Sequence, residues 1–120
     1  MDSKEFRAAL ARFTRGYRQY RHWSGVYHYT AGVAFVAKYA GAEWLLDHIA
    51  ARQKLARKAG LEELQIWTLR RTGAYTGRIT CSRAKNDEVF HDDVTLFSGF
   101  PVDEVTLCLR NDTLMLPGER

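Results

Sequence analysis

A chain of 120 residues with 46% hydrophobic, 27% charged and 12% aromatic residues is the size of one domain and can bury roughly two thirds of its unfolded surface around a single core. That composition excludes a low-complexity or disordered polymer, and no apolar run approaches the roughly 18 residues that a membrane span needs, so a cytoplasmic protein is expected. The net charge of +4 is unevenly held: residues 1–60 carry eleven Lys and Arg against four Asp and Glu, and residues 61–120 carry seven against ten, so the molecule should be electrically two-ended.

Asp2 and Glu5 have capping-box spacing, and Phe6, Ala9, Leu10 and Phe13 follow at offsets of one helical face, predicting a first helix from Ser3 to Phe13. Gly16 opposes its continuation, and Arg15 to Tyr29 reads as a turn followed by an extended or irregular aromatic segment. Thr30 can cap a second helix with Val33, Val36, Ala37 and Ala40 on its apolar face. From Ala42 to Ala56 the stripe of Trp44, Leu45, His48, Ile49 and Arg52 continues as a new helix or as one long helix bent at Gly41, with Lys54, Arg57 and Lys58 placing cations before Gly60.

After Gly60 the period changes to two. Leu64 to Leu69, Tyr75 to Ser82, Val89 to Phe97 and Val105 to Arg110 read as strands, with Leu114 to Leu116 a short last one. Turn chemistry lies between them at Arg70 to Gly73, Arg83 to Asp87, Ser98 to Pro101 and Asn111-Asp112, and connections this short imply antiparallel neighbours. The expected fold is α+β: two or three N-terminal helices (about 3–58) packed on a four- to five-stranded antiparallel meander sheet (about 62–117), in a two-layer single domain spanning 1–120.

Catalytic signatures are sparse. His22, His28, His48 and His91 lie six, twenty and forty-three positions apart, without the spacing of a metal site, and no cofactor is expected because Gly16, Gly25, Gly32 and Gly41 never form a phosphate loop. Cys81 and Cys108 sit inside strand-like runs and read as small core hydrophobes. His91, Asp92 and Asp93 form the densest polar cluster of any strand. As an acid/base pair they would serve a small enzyme; as a charged strand face they would guard a sheet edge.

The richest stretch runs from Arg12 to Tyr29. Arg12, Arg15, Arg18 and Arg21 are interleaved with Phe13, Tyr17, Tyr20, Trp23, Tyr27 and Tyr29, a combination suited to phosphate, stacking and cation-π contacts. Interfaces concentrate energy in Tyr, Trp and Arg, so Arg12, Arg15, Tyr17, Arg18, Tyr20, Arg21 and Trp23 are the candidate partner-binding residues. Direct nucleic-acid binding and a homodimer patch are the alternative uses of the same surface.

Several segments carry a family resemblance: Phe13-Thr14, Tyr20-Arg21-His22, Tyr29-Thr30-Ala31-Gly32-Val33, Ala40 to Ala50 with Trp44-Leu45-Leu46-Asp47 inside it, Gln65 to Leu69, Gly99-Phe100-Pro101-Val102 and Leu116-Pro117-Gly118-Glu119. In this order the chain resembles a family of short uncharacterised proteins carried by bacterial plasmids, prophages and other mobile elements. It departs from that family at Ala31, where an acid is typical, and at Glu43, where an aromatic is typical. The resemblance assigns no activity. It implies a mobile-element setting, in which a small protein of this kind inhibits a host defence complex, as anti-CRISPR proteins do, by occupying a surface of a protein or nucleoprotein.

Overall fold

The computed structural model describes residues 2–14, 18–96 and 100–120. The helices come first. Helix α1 (Ser3–Leu10) starts where the capping box predicts, with Asp2 Oδ1 accepting the Glu5 amide at 2.8 Å, and it buries Phe6. It ends three residues before Phe13, whose ring packs instead on Phe35 of the next helix.

Two short strands, β1 (Gln19–Arg21) and β2 (His28–Thr30), occupy the segment expected to be extended or irregular. Helix α2 (Ala31–Tyr39) follows without a break, capped by Thr30 as expected. It ends at Gly41, φ +61°, with the Ala42 amide returning to the Ala37 carbonyl at 3.0 Å. The same closure recurs at Gly60, φ +88°, with Leu61 bonded to Ala56, so both glycines sit where a left-handed residue must end a helix.

Gly41 therefore separates two helices rather than bending one. The stretch from Ala42 to Ala56 also divides, into α3 (Glu43–Ala51) and α4 (Gln53–Lys58) about Arg52.

The remaining strands are β3 (Leu64–Arg71), β4 (Thr76–Ala84), β5 (Asp87–Thr95), β6 (Glu104–Arg110) and β7 (Thr113–Met115), followed by a single 3-10 turn at Pro117–Glu119. All seven strands join one sheet in the order β1-β2-β7-β6-β3-β4-β5. The α+β class stands, but four parts of the expected architecture are corrected, the first being the helix count: four α-helices among the described residues rather than two or three, because the 42–56 stretch divides at Arg52.

Among the described residues the sheet has seven strands rather than four or five, because the aromatic segment supplies two more and β7 joins them to the rest. It is mixed, because β2 runs parallel to β7 while every other pair is antiparallel. It is also no meander: β6 returns to the far side of β3, giving the four-strand order of a Greek key. The short turns do join antiparallel neighbours, as at Asn111-Asp112, where both residues take positive φ in the hairpin between β6 and β7. The connection from β5 to β6 is the exception. Leu96, Phe100 and Val102 within it are buried, so burying them offsets the cost of carrying the chain back across the sheet.

Period-two alternation sorts the sheet into two faces. Gln65, Trp67 and Leu69 of β3, Ile79 and Cys81 of β4, and Val105, Leu107 and Leu109 of β6 are buried with Val33, Val36, Leu45, Leu46 and Ile49 from the helices. Ile66, Thr68, Thr80 and Thr106 line a broad groove of about 820 Å³ on the opposite face. Cys81 and Cys108 are buried free thiols, and burial pushes the Cys81 thiol up to about 12.

Two polar devices tie this packing together. Gln53 of α4 and Gln65 of β3 exchange amide hydrogen bonds of 2.9 and 3.0 Å inside the core, and the Trp67 indole donates to Gln65 Oε1 at 2.8 Å. At the start of α2, Glu119 Oε1 accepts from the Thr30 hydroxyl at 2.6 Å and from the Leu116 amide at 3.0 Å. Its carboxylate thereby lies at the positive end of the helix dipole.

Candidate binding surface

The Arg12–Tyr29 stretch divides in the folded chain. Tyr27 is 1% exposed, its hydroxyl donating to the Leu46 carbonyl, and burial raises its pKa far above the ordinary tyrosine value. Phe13 and Tyr29 are half-buried, the latter stacked with Tyr20 at 5.6 Å. Arg12, Arg18 and Arg21 are exposed, Tyr20 is 39% exposed and Trp23 81%. Arg15 and Tyr17 lie outside the described residues. The rings thus do not all project together with the cations. Tyr20 and Trp23 are exposed, on and beside β1, whereas Tyr27 belongs to the core.

Trp23 is exposed but not loose. Its indole Nε1 donates to Asp47 Oδ1 at 2.7 Å, and His22 Nε2 lies 2.8 Å from the same oxygen. The Ser24 amide donates to His22 Nδ1 at 3.2 Å, so Nδ1 is the acceptor and the ring proton sits on Nε2, donated to Asp47. The Trp23 hydrogen bond, followed by that of His22, holds the Asp47 carboxyl below the usual carboxylate range. Buried His22 packs at 5.0 Å from Tyr27 and 5.3 Å from Trp23, making a rigid link between the core and the exposed indole.

Beside this link lies a cleft of about 480 Å³ with Ala34, Ala37 and Leu46 on its apolar side and Arg21, Trp23, Tyr29, Lys38, Glu43 and Asp47 around it. Ser24, His22 and Asp47 form a hydrogen-bonded chain, with Ser24 Oγ 2.6 Å from Nδ1. Its ends, however, are reversed relative to a hydrolase triad, with the carboxylate on Nε2 and the hydroxyl on Nδ1. Ser24 Oγ also accepts the Val26 amide at 3.3 Å, as expected of a turn-closing serine.

Because Asp47 is stabilised in its ionised form, the anchor should persist from neutral pH down through the ordinary carboxylate value of 3.8 and loosen only at lower pH, as the folded-state group takes up its proton. The side-chain carboxyl carbon signal of Asp47 in NMR should therefore titrate with a midpoint below 3.8. A midpoint above that value would exclude the Asp47 anchor.

The His91, Asp92 and Asp93 cluster does not converge on one site. His91 Nδ1 meets Glu88 at 2.8 Å and Asp93 meets Arg78 at 2.8 Å. Asp92 accepts from His48 at 2.9 Å and from Arg52 through two bonds of 3.0 Å, pinning α3 to the outer strand. Among the described residues no three His, Cys, Asp or Glu side chains come together as a metal site, and no helix is long and apolar enough to cross a membrane.

Sequence reasoning missed Asp47, the residue that organises the surface. Its one signal was a carboxylate immediately after the apolar Leu45-Leu46 pair of a core-facing helix. No curated protein and no solved structure matches the chain, whereas the model of one family, described as of unknown function, matches residues 4–120.

Proposed function

We propose, for a chain that belongs to the family of unknown function DUF6876, that it is a non-enzymatic binding protein that inhibits a host defence complex by occluding one of its surfaces. The observation that carries this reading is the state of Trp23: a large aromatic, 81% exposed, held in place by the Asp47 carboxylate, with Arg21 lining the same cleft and the exposed Arg18 and Tyr20 a few residues away in the chain. An aromatic fixed before binding loses little freedom on docking, and Trp, Tyr and Arg dominate interface energies. The exposed Tyr39 ring, with Lys38 Nζ 5.4 Å from its centroid, supplies a second cation and ring on the helix that helps line the cleft.

The mobile-element setting implied by the resemblance selects the partner class, a protein or nucleoprotein complex in the cytoplasm of a bacterial host. The dispersal of His91, Asp92 and Asp93 among separate partners, and the turn-closing role of Ser24, favour binding over catalysis.

The combined variant Arg18→Glu, Arg21→Glu and Trp23→Ala should reduce capture of the partner from host lysate by about 30-fold or more. Its melting temperature should stay within about 5 °C of the parent, since these side chains are exposed. Retained capture with a large loss of stability would overturn the assignment. Capture that vanishes on nuclease treatment and falls steeply with salt would reassign the surface to nucleic acid.

A further inference from the structure

We infer that the outer edge of β1 takes up an extended, acidic segment of a partner protein as an additional strand of the sheet. This rests on the binding reading above and names the form of the partner.

The backbone supplies the first part of the argument. β1 is the terminal strand of the sheet. The His22 amide donates to the Tyr27 carbonyl at 3.0 Å, which sets the phase of the hairpin. With Tyr20 opposite Tyr29 and Arg21 opposite His28, His22 and Tyr20 turn their backbone groups toward β2. Gln19 and Arg21 turn theirs outward. The outward groups are a template for a further strand.

Charge supplies the second part. The opposite edge, β5, is guarded. Its pairing with β4 shifts register near Ser82, and its acids are already engaged: Asp87 with Arg83, Glu88 with His91, Asp92 with Arg52 and His48, and Asp93 with Arg78. At β1 the arrangement is reversed. Arg18 and Arg21 are exposed, and among the described residues neither is paired with an acid.

Unmatched cations beside open backbone groups select acidic side chains on the incoming strand. They also oppose a second copy of this chain. Pairing β1 with β1 would oppose arginines, and the acids of a neighbouring β5 are already neutralised.

An NMR titration with a peptide alternating valine and glutamate tests this directly, using as control the same peptide N-methylated on alternate residues. The expected result is that the Gln19 and Arg21 amides shift and become protected from hydrogen exchange, that the methylated peptide protects neither, and that Arg18→Glu with Arg21→Glu weakens the peptide about tenfold. Binding that perturbs other amides and leaves these two unchanged would overturn the inference. So would protection that grows with the concentration of the protein alone, which would assign the edge to a second copy. If the peptide fails to bind while the hairpin variant still loses its lysate partner, strand addition is wrong and the hairpin remains the contact surface.

Discussion

Replacing Gln65 by leucine should cost about 3–5 kcal/mol, although the new side chain has nearly the same volume and is more apolar. The Gln65 amide uses its full capacity: its nitrogen donates to Gln53 Oε1 and the Leu61 carbonyl, and its oxygen accepts from Gln53 and from the Trp67 indole. Leucine leaves the Trp67 N–H and Gln53 Oε1 buried without partners, each worth about 1–3 kcal/mol, while Gln53 Nε2 keeps only its bond to the Ile49 carbonyl.

For a chain of this length the expected effect is a fall in melting temperature of roughly 15 °C. The double variant Gln53→Leu with Gln65→Leu should be less damaged than the sum of the two single variants by about 1–3 kcal/mol, because it removes both halves of the pair. Strict additivity, or a single Gln65→Leu cost below about 1 kcal/mol, would show that the amides do not hold α4 to β3.

Alanine at Gly32 should be comparably damaging for a different reason. A Cβ there would fall 2.4 Å from Glu119 Oε1 and 2.7 Å from Leu116 Cδ1, closer than real atoms approach. Glu119 cannot simply swing away: it is buried and held by Thr30 and the Leu116 amide, so the closing turn of the chain must lift from α2. Overpacking of this kind costs about 1–3 kcal/mol, and displacing a buried carboxylate from its partners adds to it, for a total of about 3–4 kcal/mol. Chemical denaturation should show that cost shrinking when Gly32→Ala is combined with Glu119→Ala, since the shorter side chain makes room. If Gly32→Ala is as damaging with alanine at 119 as with glutamate, the crowding lies elsewhere.

These two cases mark the boundary of what the one-dimensional pattern contains. The Asp2 and Thr30 caps, the helix ends at Gly41 and Gly60, the long strands and the Asn111-Asp112 turn were legible because each depends on residues within a few positions of one another. The division at Arg52 was not, because no glycine or proline announces it. Nor were β1 and β2, since three residues are too few to display a period and these strands depend on the distant β7 for their place in the sheet.

The Arg12–Tyr29 segment shows the same limit at the candidate site. Its composition marked out a basic and aromatic region, but composition could not distinguish Tyr27, sealed beneath α3, from Trp23, left outside. Nor could it find Asp47, twenty-four residues further along the chain, as the group that orders Trp23.

By itself the sequence determined the α+β class, the succession of helices and then long strands, and the basic character of the amino-terminal half, because propensity, capping and charge act over short distances. Only the tertiary structure decided the Greek-key order, the parallel β2–β7 pair, the meeting of Gly32 with Glu119 and the fate of each aromatic ring. These depend on which surfaces exclude water together, a competition among segments far apart in the chain that no local pattern records.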